Sequence, residues 1–92
     1  MSALAAHIRA GTLVQQAAAL LGISEEDILS SRDPVSYEAR CGIIKVLRED
    51  GCSLSLIGRV LNRHHTSILA AERHADDLVA NSIFAGFVEA LR

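Results

Sequence analysis

Apolar residues recur at helical spacing along almost the whole of this chain, and no stretch alternates as a half-buried strand would. Leu4, Ile8, Leu13, Val14, Ala17, Leu20 and Leu21 predict a first helix over about residues 3–21, with Ser2 as its N-cap and Gly22 as its stop. Gly11 weakens its middle and marks a possible break. Ser24-Glu25-Glu26-Asp27 restarts a short helix: the serine caps free amides, and the acids stand where the helix dipole favours them. Ile28 and Leu29 are its expected anchors. Ser30 to Pro34 reads as a loop, and Asp33-Pro34 joins an N-cap to a proline in the first turn of a long helix over about 35–50. That helix carries Tyr37, Cys41, Ile44 and Leu47 as an apolar stripe, leaves Arg40, Lys45 and Arg48 near the surface, and stops at Gly51. A final helix over about 82–92, capped by Asn81 or Ser82, puts Phe84, Phe87, Val88 and Leu91 on one face.

The intervening segment has a more particular pattern. Ser53 caps a short helix over about Leu54–Leu61 whose Leu54, Ile57, Val60 and Leu61 face inward; Asn62-Arg63 supplies a tight turn. A second helix starts near His64 or His65 and runs to about Val79, with Ile68, Leu69 and Ala71 leading its packed side. Gly58 has a structural reason, since a missing side chain lets the second helix cross closely. A short helix, a turn and a helix opening on polar side chains make a helix-turn-helix over 53–79. The expectation is one all-α domain spanning 1–92, a compact bundle of five to six helices containing that motif.

Half the residues are apolar but only Tyr37, Phe84 and Phe87 are aromatic, so Leu, Ile, Val and Ala must build the core. The formal net charge of −2 argues against a sequence-blind, strongly basic nucleic-acid binder. Its distribution is uneven: residues 32–63 are net +2 and the remainder net −4. Cys41 and Cys52 make no disulfide framework and read as small, reduced hydrophobes of a cytoplasmic protein. No signal-peptide pattern and no membrane-length apolar run is present, so no membrane association is expected. Cys41, Cys52, His64 and His65 match none of the compact zinc spacings. No cysteine–histidine–carboxylate arrangement is evident. A non-enzyme without metal or cofactor is the expectation.

From about Leu13 to Leu78 the chain resembles the C-terminal DNA-binding domain, helix-turn-helix domain IV, of the bacterial replication initiator DnaA. The residues that carry the resemblance are Ser53, Leu54, Ile57, Gly58, Arg63, His65, Thr66, Ser67, Ile68 and Leu69, preceded by Asp27-Ile28-Leu29-Ser30 and Ala39-Arg40. The resemblance implies double-stranded DNA as partner, in replication or transcription control, with His65, Thr66 and Ser67, joined by His64, reading bases. Arg63, Arg40, Arg32 and Arg59 would hold phosphates. The initiator's nucleotide-binding Gly-rich loop ending in Lys-Ser or Lys-Thr has no counterpart, so a stand-alone divergent relative without bound nucleotide is implied.

Departures from the family pattern bear on this. His64 stands where the family has an aspartate, the basic loop is reduced to Ser31-Arg32-Asp33-Pro34-Val35, and Glu38 replaces a basic residue at the entrance to the long helix. The competing expectation is a protein-interaction module that kept the fold and lost DNA. The Phe84, Phe87, Val88 and Leu91 stripe reads most simply as core, with a seam for a homodimer or a protein partner as the alternative.

Overall fold

The computed structural model describes all 92 residues. It contains six helices and no strand: α1 (Ala3–Leu21), α2 (Glu25–Ser30), α3 (Pro34–Glu49), α4 (Leu54–Leu61), α5 (His65–Leu78) and α6 (Ser82–Leu91). Every helix start is fixed by a local side chain that accepts from an otherwise unpaired amide. Ser2 accepts from Ala5, Ser24 from Asp27, Asp33 from Ser36, Ser53 from Leu56, His64 from Thr66, and Asn81 from Ile83 and Phe84. Two stops use left-handed glycines, Gly22 and Gly51 (φ 68° and 95°), where a side chain would be strained.

The long helix α3 is the hub. It packs against α1, α2, α5 and α6, and nine of its residues are buried, including Cys41, Ile43, Ile44, Val46 and Leu47. At Gly42 a Cβ would lie 2.7 Å from the Phe87 ring, so the bare backbone there lets α6 cross closely. Phe84, Val88 and Leu91 are buried against this assembly and Phe87 is partly buried. Most of the face read as core or dimer seam is therefore used by the protein's own core, with Phe87 left partly open to a surface cleft.

The first helix departs from expectation in two ways. It runs unbroken through Gly11, and its buried stripe is Ala6, Ala10, Leu13, Val14 and Ala17. Leu4, Ile8 and Leu20 are exposed, Ile8 lying on the opposite side of the helix from that stripe. Small residues face inward because α2, α3, α4 and α6 all approach α1. In α2, Ile28 is fully buried as expected, but Leu29 is exposed and contributes its carbonyl rather than its side chain.

Candidate nucleic-acid interface

The turn between α4 and α5 is set by backbone geometry. Asn62 ends α4 in the left-handed conformation (φ 55°), which asparagine tolerates better than most residues. The Arg63 amide then returns to the Gly58 carbonyl at 2.7 Å. A Cβ on Gly58 would meet the Arg63 carbonyl oxygen at 2.5 Å, so no other residue closes this turn without moving the backbone. The close crossing expected at Gly58 is thus a contact with the turn itself.

Emerging from the turn, His64 is the N-cap of α5. Its Nδ1 accepts from the Thr66 amide at 3.2 Å and stands 2.7 Å from Thr66 Oγ1. The His65 ring packs on His64, centroids 4.3 Å apart and tilted by 31°. His64, His65, Thr66 and Ser67 are all exposed. The helix then divides them. His64 and His65 line an open polar cleft of about 500 Å³ with Ser55, Gly58, Arg59, Asn62 and Arg63. Thr66 stands on the outward face, opposite buried Ile68, Ala71 and Ala75. Ser67, exposed and one turn on from His64, borders a second, narrow cleft with Tyr37, Arg40 and Arg63.

The four arginines expected at phosphates fare differently. Arg40 is not at the surface: it is 7% exposed, donates from a guanidinium nitrogen to the Ile28 carbonyl at 2.7 Å, and lies 5.8 Å from the centre of the Tyr37 ring. Burial, then the nearby Arg63 charge, lowers its pKa from the ordinary arginine value. Arg63 is half-buried and donates to the Leu29 carbonyl. These two arginines satisfy carbonyls that the six-residue helix α2 leaves unpaired at its C-terminus. Arg40 is therefore a structural clamp rather than a phosphate anchor. Arg63 does the same work from the turn and keeps its place in the polar cleft. Through it the helix-turn-helix is tied to the end of α2, directly before the loop that carries Arg32.

Arg32 and Arg59 are exposed and make no ion pair. Arg73, which sequence reasoning passed over, is also exposed and unpaired, and stands on the Thr66 side of α5 because seven residues are close to two helical turns. The two clefts that flank the turn, one along α4 and α5 and one towards Leu29 and Ser30, share Asn62 and Arg63 and include no carboxylate in their walls. His74 is exposed as expected, but its ring approaches Tyr37, with centroids 5.5 Å apart.

The cysteines have a different character. Cys41 and Cys52 are both free and buried. Burial pushes the Cys41 thiol up to about 11 and raises that of Cys52, which makes both poor nucleophiles and poor metal ligands. No cluster of His, Cys, Asp and Glu is arranged to hold a metal ion. No helix is long and apolar enough to cross a membrane. No family model matches the chain, nor does any curated protein or solved structure.

Proposed function

We propose that this chain binds double-stranded DNA, with α5 as the recognition helix entering a major groove. One observation carries the reading: the exposed start of α5 borders clefts without a carboxylate, while Arg32, Arg59 and Arg73 have no acidic partner. Polar residues at the start of a helix that follows a tight turn are suited to base edges, and unpaired arginines to phosphates. The residue pattern shared with the DnaA C-terminal domain supports the same reading and adds replication or transcription control as its setting. Base reading is assigned to His64, His65 and Thr66. Arg32, Arg59, Arg63 and Arg73 hold the backbone.

A second reading, a protein-interaction module, draws on an apolar cleft between α3, α5, α6 and the end of α1. It is lined mainly by Leu21, Val35, Ala39, Leu78, Ile83 and Phe87, and its rim residues Val35 and Ile83 are 50% and 83% exposed. Fluorescence anisotropy decides between the two, using a DnaA-box duplex and a scrambled duplex at two salt concentrations. Tighter, salt-sensitive binding to the box is the expected result, and His65→Ala or Thr66→Ala should then cost about 1–3 kcal/mol on the box alone. Equal binding to both duplexes removes the sequence-reading claim for that site. No binding at low salt overturns the DNA reading in favour of the protein partner.

A further inference from the structure

On the reading of α5 as a base-reading helix, we infer that the His64–Thr66 pair has a fixed hydrogen-bond polarity that sets its base preference. His64 offers the groove a donor and Thr66 an acceptor, so the base facing His64 is one with an acceptor edge, guanine first. A carboxylate at the same position would instead choose cytosine.

The polarity follows from the cap. A backbone amide can only donate, so the Thr66 N–H at 3.2 Å requires a lone pair on His64 Nδ1. In the neutral ring the proton then sits on Nε2. With the proton on Nε2, Thr66 Oγ1 at 2.7 Å from the same Nδ1 donates its hydroxyl hydrogen to that lone pair, sharing it with the amide. This leaves the lone pairs of the threonine oxygen, together with its methyl, for the DNA. Turning the imidazole to present Nδ1 outward would uncap α5. The hydrogen bonds that start the helix thereby also decide what it asks of a base.

In the major groove guanine presents two acceptors, N7 and O6; adenine and thymine present an acceptor each, and cytosine only an amino donor. A lone Nε2–H therefore favours guanine and disfavours cytosine. The Thr66 oxygen favours an amino group of adenine or cytosine, and its methyl favours the methyl of thymine.

Two measurements on the full chain test this separately from DNA binding as such. Long-range ¹H–¹⁵N correlation spectra at alkaline pH should show His64 protonated on Nε2 in the free protein. Selection from random duplexes should then give wild type a guanine, with cytosine depleted, at a position where His64→Asp selects cytosine. Aspartate is an equally good N-cap, so the variant keeps the helix. Exchanging that guanine for cytosine should weaken wild type about tenfold and strengthen the variant. A proton on Nδ1 overturns the inference without touching the proposed function. So does an unchanged base preference in His64→Asp, or wild-type binding with no preference at any position. Wild type that binds no duplex at low salt overturns the proposed function and this inference with it.

Discussion

The cations near the C-terminal half of α3 and those around the helix-turn-helix differ in their pairing. Around that C-terminal half every cation has a carboxylate. Arg48 pairs with Glu72, and Lys45 with Asp76 at 3.3 Å. Arg9 pairs with Asp50 and Arg92 with Glu49, each at 2.8 Å. Around the helix-turn-helix, Arg32, Arg59 and Arg73 have no such partner, and Arg63 is bonded to a carbonyl. In a chain of net charge −2, pairing as well as composition thus decides which arginines lack a carboxylate, while Glu25, Glu26, Asp27, Asp33, Glu38 and Asp77 are likewise exposed without an ion pair. The ion pairs join α1, α5 and α6 to α3, although exposed ion pairs of this kind contribute little stability each.

Substitutions can break this contrast, and the largest effect is expected at the turn of the helix-turn-helix. Gly58→Ala improves helix propensity by about 1 kcal/mol but forces a Cβ onto the Arg63 carbonyl oxygen, which cannot swing aside as a side chain would. A net loss of about 2 kcal/mol in urea unfolding is expected, with weaker DNA binding following from a displaced α5. A stability equal to wild type would mean that the turn has room to spare. Arg40→Met comes next. It removes the donor to the buried Ile28 carbonyl, for an expected loss of about 1–3 kcal/mol, while the salt dependence of DNA binding stays unchanged. A lower salt slope in this variant would return Arg40 to the interface.

Arg59→Ala and Arg73→Ala sharpen the comparison from the other side. Each should lower the slope of log K against log salt by about 0.9 and leave stability within about 0.5 kcal/mol of wild type. Lys45→Ala should leave the slope unchanged and cost at most about 1 kcal/mol of stability. If both sets altered the slope alike, the contrast in pairing would have no functional meaning.

The smallest effect is confined to acid. The Ser31 hydroxyl first, and then the Ser36 amide and hydroxyl, hold Asp33 down at about 2, below its ordinary 3.8. Because the folded value is the lower one, the stabilising contribution is complete above pH 3.8 and is lost as pH falls through about 2. Asp33→Asn keeps an N-cap without the charge, so its melting temperature should lie below that of wild type near neutral pH. The gap should close as the pH is taken towards 2.

Much of the architecture was legible because it is local. Ser2, Ser24, Asp33, Ser53 and Asn81 cap the helices that follow them because a side chain need reach only two or three residues along the chain. The helix-turn-helix was legible for the same reason, and so were the exposed positions of His64, His65 and Thr66 at the start of α5. The buried face of α1 was not, since Leu4 and Ile8 carry the stronger hydrophobic signal and Ala6 and Ala10 fit the close approach of four other helices. Arg40 was misplaced because its partner, the Ile28 carbonyl, lies twelve residues away and is available only once α2 has ended beside α3. Arg73 was overlooked because a lone basic residue on a helix has no signal until its neighbours are known.

The sequence by itself determined an all-α chain of five to six helices, most of their caps, the turn at Asn62-Arg63 and the residues that open α5, all of which depend on interactions within a few residues. Only the tertiary structure decided which arginines are free and which are bound to carbonyls or carboxylates. Those outcomes depend on groups brought together from distant parts of the chain, and desolvation and pairing are properties of that assembled surface.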